Sequence, residues 1–190
     1  MNAILPVLED TRHKVTVDEL EALLRAGFLS HCERLELIDG VIVEMPHEGF
    51  AHVDLKAQIT EWLMGRVQDP YRVVPDATLR ISSTEAPAPD IRIQRRDVPM
   101  SQITGADVAL IIEIADSSLA TDTKAKPEKY AAFGVLEYWV IDLENWQTVR
   151  FQRNEDGMFN QSELVAADAT VRPSSLPEIA FRLADFKLNV

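Results

Sequence analysis

The chain carries a single cysteine, Cys32, in 190 residues. No internal disulfide can form, and no thiolate cluster can hold a metal. A lone thiol is more often an inert, half-buried side chain than a nucleophile. Long hydrophobic runs are also missing. The most apolar stretch, Val108 to Ala115, is broken by Glu113 and falls far short of the roughly 20 residues that a bilayer-spanning helix needs. The opening residues, Met1 to Pro6, show neither a positive region ahead of an apolar stretch nor a small-residue cleavage pattern. A cytoplasmic protein without a membrane partner is therefore expected. Basic residues are scarce: 19 Lys and Arg stand against 31 Asp and Glu, a net charge of -12. That balance opposes a protein that coats duplex nucleic acid, because such binding runs on phosphate neutralisation. The shortage is uneven, since Arg92, Arg95, Arg96, Lys124, Lys126 and Lys129 gather in the middle of the chain and can meet a polyanion locally. No Gly-rich phosphate loop, serine elbow or zinc-spaced histidine pair occurs.

What is present suits an ordinary globular domain. Hydrophobic residues make up 46% and charged residues 26%, and the length supports one proper core. With no repeat and no clean linker, residues 1–190 read as one domain. It has an N-terminal arm at 1–14, a core at about 15–142, and C-terminal strands with a tail at 143–190.

Thr16 and Glu19 form a capping box ahead of Leu20, Leu23 and Leu24 at helical spacing, which predicts a helix over 17–26 closed by Gly27. Asp39-Gly40 between Arg34–Ile38 and Val41–Met45 is a strong hairpin signal. Val53, Leu55, Ile59, Trp62, Leu63 and Val67 recur near a period of 3.6 and predict a helix from about Ala51 to Val67. Short strands are expected at Tyr71–Val74, Thr78–Ile81 and from Asp90 to Ile93. Val108–Ala115 reads as a central strand covered on both faces. A polar turn, Asp116 to Thr123, leads to a helix from about Lys124 to Phe133 that ends at Gly134. Strands follow at Glu137–Asp142, Thr148–Gln152 and Phe159–Val165, and the order of elements points to an α/β fold: a mixed sheet with helices on its faces.

Glu113 is the most informative residue. Burying an unpaired carboxylate costs several kcal/mol or forces protonation, so the strand must expose it, pair it or give it a cation. Period 2 leaves solvent exposure open, although Ala109, Ile111 and Ala115 on the same side are apolar. Asp90 after Pro89 fits a turn acid as well as a site acid; with Glu113 on a neighbouring strand it makes a two-carboxylate site of the kind that suits Mg²⁺. Asp122, Lys126 and Tyr130 share one helix face, either as a solvated ion pair or as part of that site, and Pro127 fits if the helix starts near Lys126. Glu36, flanked by Leu35 and Leu37, could face solvent or a site. His52, alone at a helix start, reads as a surface or capping group.

Taken together, Glu36-Leu37-Ile38-Asp39-Gly40, His52, Pro89-Asp90, Glu113-Ile114, Asp122 with Lys126 and Tyr130, and Gly134 with Glu137-Tyr138-Trp139-Val140-Ile141-Asp142 resemble the Uma family of restriction endonucleases. That family is a branch of the PD-(D/E)XK nuclease superfamily, and the likeness runs from about residue 15 to residue 185. It implies a restriction-endonuclease-like α-β-β-β-α-β core, an endonuclease acting on nucleic acid (DNA ahead of RNA), and a Mg²⁺ cofactor, with Mn²⁺ as a substitute. Carried over, the resemblance places Glu36, Asp90, Glu113 and Lys126 as catalytic residues. Asp90, Glu113 and the Ile114 carbonyl are the metal ligands it implies. The superfamily's usual lysine, two residues after the second acid, is replaced by Ala115; the resemblance points to Lys126 on the next helix instead. A homodimer would cut both strands of a duplex. The rival reading is an inactive binding or assembly module that keeps the fold, favoured by Ala115 and the acidic charge.

Overall fold

The computed structural model describes residues 12–32 and 34–188; residues 1–11, most of the expected N-terminal arm, lie outside them. Helix α1, Val17–Arg25, starts at the expected capping box: the Thr16 side chain accepts from the Glu19 amide while Glu19 reaches back to Thr16. Strands β1 (Leu35–Ile38) and β2 (Val41–Glu44) form a separate two-stranded sheet. Asp39 and Gly40 both adopt positive φ in its turn, the primed geometry that an Asp-Gly hairpin favours. The rest is α2 (Phe50–Met64), β3 (Tyr71–Pro75), β4 (Ile91–Arg95), β5 (Val108–Ala115), α3 (Leu119–Phe133), β6 (Glu137–Asp142), β7 (Gln147–Gln152) and β8 (Ser162–Ala166).

Strands β3 to β8 make one six-stranded sheet in chain order. Only β5 and β6 run parallel, because α3 carries the chain back across the sheet between them; the other neighbours pair antiparallel. The run α2-β3-β4-β5-α3-β6 has the expected α-β-β-β-α-β order, and β7 and β8 extend the sheet. Among the described residues no helix is long and apolar enough to cross a membrane.

Every residue of β5 is buried, and its alternation sorts two cores. Leu110, Ile112 and Ile114 pack with Leu55, Ile59 and Leu63 of α2, with Trp139 and Ile141, and with Val171, Leu176, Ile179, Phe181, Leu183 and Phe186 of the C-terminal segment. Val108, Ile111 and Ala115 face the opposite way, toward Tyr130 of α3 and Tyr138, Val140 and Phe151. Glu113 shares this second face by the same period-2 rule.

Three expectations fail locally. Residues 78–81 form no strand: the Leu79 and Ile81 amides donate to the carbonyls of Pro87 and Glu85, closing a loop whose prolines at 87 and 89 cannot continue a ladder. Helix α3 begins at Leu119 rather than near Lys124, so Pro127 sits buried inside it and leaves the Thr123 carbonyl without its helical donor. Strand β8 starts at Ser162 rather than Phe159, since Phe159 packs against the second core.

Candidate active site and metal centre

The β4–β5 register sets the site. Ile91 pairs with Ile112, so Asp90 and Glu113 stand opposite each other where the two strands meet the N-terminal side of α3. The Asp90 amide donates to Glu113 Oε2 at 3.4 Å. Asp90 Oδ2 accepts from the Ile114 amide at 2.8 Å and lies 3.0 Å from His52 Nε2. Both acids are buried, Asp90 at 5% exposure and Glu113 at 4%, so Glu113 does not face solvent.

Helix α3 brings the cation. Lys126 Nζ lies 3.0 Å from Glu113 Oε1 and 2.8 Å from Asp122 Oδ1, and Tyr130 donates its hydroxyl to Glu113 Oε1 at 2.9 Å. Asp122 is held in turn by the Ser118 hydroxyl, and the Tyr138 hydroxyl donates to the Asp122 carbonyl at 2.8 Å. The Asp122–Lys126–Tyr130 face is therefore no solvated ion pair: Asp122 and Tyr130 are buried and Lys126 is half-buried. Glu36 comes from the hairpin: its Oε1 accepts the Ala88 amide at 2.9 Å, while its buried Oε2 has no hydrogen-bond partner.

Glu36, Asp90, Glu113, Asp122 and Lys126 line a cleft of about 250 Å³ that also takes in Arg34, Glu48, His52, Ile114 and Asp116. A larger depression of about 630 Å³ over the β7–β8 hairpin is lined by Arg150, Gln152, Arg153 and Glu163 and holds none of the expected site residues. Chemistry also separates the cleft acids from buried structural ones. Glu137 accepts from Trp139 Nε1, Arg150 Nε and the Ser174 amide and hydroxyl. Asp142 accepts from the amides of Glu144 and Asn145 and from the Asn145 and Gln147 side chains. Both are saturated, so a buried carboxylate there needs nothing further. Glu36 and Asp90 each keep an oxygen without a close donor.

The electrostatics follow from burial. Burial, with Asp90 and Asp122 nearby, pushes Glu113 up to about 8 despite Lys126. Burial works against the charge on Lys126, but Glu113, Asp122 and Glu36 more than offset it and hold the ammonium protonated. For Asp90, burial is outweighed by His52 and the Ile114 amide, and its carboxyl sits below the usual range. His52 moves the other way: desolvation alone would lower it, but Asp90 and Glu48 outweigh that and raise it.

His52 is where the sequence reading went wrong. It is buried at 7% exposure, with Nε2 on Asp90 and Nδ1 3.2 Å from Glu48 Oε2. Lys56 Nζ, one turn on, lies 2.5 Å from Glu48 Oε2, 2.7 Å from Asp76 Oδ1 and 3.9 Å from Asp90 Oδ1, and Arg34 pairs with Glu48 as well. Potential ligand atoms of Glu48, His52 and Asp90 lie within 4.8 Å of one another, the proximity that a shared metal ion would require. The sequence signal was a spacing: Glu48 just ahead of α2, His52 and Lys56 are four apart, which stacks them along one side of the helix and its entry.

The cleft thus brings two acids from neighbouring interior strands and a lysine from α3 together. The profile of the Uma2 family, described as "Putative restriction endonuclease", matches residues 17–184, and the chain belongs to that family. A crystal structure of a protein from Anabaena variabilis ATCC 29413, titled a putative nuclease belonging to DUF820, is similar at a TM-score of 0.65. The two share 16% identity over 90% of this chain and 96% of that one, a likeness of fold. No curated protein matches the sequence.

Proposed function

We propose that the protein is a divalent-metal-dependent endonuclease acting on DNA, with Mg²⁺ as its cation and Mn²⁺ as a substitute. The observation that carries this reading is the pairing of Asp90 with Glu113 in a buried cleft, with the Lys126 ammonium 3.0 Å from Glu113. The donor set fits a hard cation: oxygen ligands, few in number, with room left for water. Asp90, Glu113 and the Ile114 carbonyl would hold the ion. Bound there, it supplies a Lewis acid that neutralises charge on the phosphodiester and lowers the pKa of an attacking water.

The chain's own groups do the rest. Lys126, held protonated by Glu113 once that acid is ionised and by Asp122 and Glu36, offers its ammonium to the developing negative charge on a non-bridging oxygen. Tyr130 fixes the Glu113 carboxyl that Lys126 touches. Glu36 Oε2, buried without a donor, is placed to accept a hydrogen bond from water in the cleft. A homodimer would set two such clefts against the two strands of a duplex.

The test is nicking of supercoiled plasmid with Mg²⁺ or Mn²⁺. Wild type should nick DNA, and chelation, Asp90→Ala or Lys126→Ala should each abolish it. The rival, an inactive module, draws on Ala115 at the superfamily's lysine position. Metal binding without cleavage of DNA or RNA would favour it.

A further inference from the structure

The Glu48–His52–Asp90 cluster has proximity without the shape of a chelate. The two nitrogens of one imidazole point in different directions, and each faces a different acid: Asp90 Oδ2 is hydrogen-bonded to Nε2, while Glu48 Oε2 lies 3.2 Å from Nδ1 as an ion-pair contact without hydrogen-bond alignment. One ion cannot be ligated by the ring through both. The positions around it are also claimed by cations, since Lys56 touches Glu48 and Asp76 and approaches Asp90, and Arg34 pairs with Glu48. The arrangement is a chain, carboxylate to imidazole to carboxylate, running from a half-buried outer acid to the buried acid of the cleft.

Its inner end has a defined effect. Asp90 Oδ2 is engaged by both the Ile114 amide and His52 Nε2, so the carboxylate is fixed by two donors on a single oxygen. The other oxygen, Oδ1, has Lys56 no nearer than 3.9 Å and is the one left for a ligand. We propose, building on the metal-dependent reading above, that His52 backed by Glu48 is a positioning residue that locks Asp90 in the rotamer presenting Oδ1 to the cation. His52 itself stays off the metal. Partners of this kind, one shell removed from a metal, fix ligand orientation, and their loss costs roughly 10- to 100-fold in metal affinity.

The test is calorimetric titration of the full chain with Mn²⁺, alongside electron spin-echo spectroscopy of the bound ion. His52→Ala should weaken Mn²⁺ binding by about 10- to 100-fold. His52→Gln, whose amide can still donate to Asp90 Oδ2, should recover most of that loss. Bound Mn²⁺ in the wild type should show no coupling to an imidazole nitrogen. Undiminished binding by His52→Ala, no recovery in His52→Gln, or a nitrogen coupling would each overturn the proposal while leaving the metal-dependent reading intact. Absence of Mn²⁺ binding in the wild type would instead remove that reading, and the positioning role with it. Should His52→Ala lose its folded circular dichroism signal, Glu48→Gln serves, since it keeps the ring and its bond to Asp90. It should still weaken Mn²⁺ binding by about tenfold, and unchanged affinity there would equally overturn the role given to Glu48.

Discussion

A carboxylate sealed inside a sheet keeps a proton or finds a cation, and Glu113 is placed to do either. Its pKa of about 8, raised by burial from the ordinary 4.5, means that below pH 8 the metal-free folded chain holds a proton there. A divalent ion must displace it. Mn²⁺ affinity should therefore climb by up to about tenfold per pH unit toward pH 8 and level off above it; calorimetry in buffers of differing ionisation heat should find about one proton released at pH 7. A flat affinity from pH 6 to 8 would contradict this. The linkage sign for metal-free stability follows from the same shift. Between pH 4.5 and about 8 the folded chain binds a proton that the unfolded chain has lost, so this group's contribution declines as pH rises through that window. Lys126 is tested differently. Lys126→Ala should reduce cleavage by about 10²- to 10³-fold, measured by initial rates of plasmid nicking, with the circular dichroism spectrum unchanged. At this scale the sequence was readable where chemistry was odd for its setting, as with an acid inside Leu110–Ala115. It was silent on His52, because a single histidine at a helix start carries no mark of what will pack against it.

At the scale of elements, the strands flanking the site were legible because β5 and β6 are continuous apolar runs too short for buried helices. The start of α3 was not. Asp116, Ser117 and Ser118 all suit a turn or a cap, and Pro127 argued for a late start that packing overrode. The end of α3 depends on two glycines. Gly134 takes φ +104 as the helix closes, and a Cβ on Gly105 would lie 2.1 Å from the Phe133 carbonyl oxygen. Gly105→Ala must push the Gly105–Asp107 turn away from α3 and should cost at least about 2 kcal/mol in urea denaturation. A loss below about 0.5 kcal/mol would show that the contact relaxes freely. The C-terminal segment has little regular structure, yet Phe181 packs edge-on to Trp62 and stacks with Phe186 at 1% exposure. Phe181→Ala should cost about 3–5 kcal/mol, as expected of a core residue and not of a loose tail.

For the whole molecule, charge sets the limits. A chain at -12 whose cleft cations are already paired has few ammonium groups to spend on phosphates, so nucleic-acid affinity should depend weakly on salt. Raising salt from 50 to 200 mM should weaken binding of a DNA fragment, held with Ca²⁺, by less than about tenfold, as for one or two neutralised phosphates; a steeper fall would reveal a basic surface that the cleft lacks. The sequence by itself determined the order of helices and strands, the central strand and the unusual acid within it, because periodicity and turn chemistry act between near neighbours in the chain. Only the tertiary structure decided which acids converge on the cleft and which are saturated inside the fold. Glu113 and Glu137 look alike as single acids in apolar strands, but one meets a lysine and an aspartate across a cleft and the other meets four donors. That difference comes from segments tens of residues away, whose approach is fixed by the register of β4 on β5 and the crossing of α3, and no local pattern encodes it.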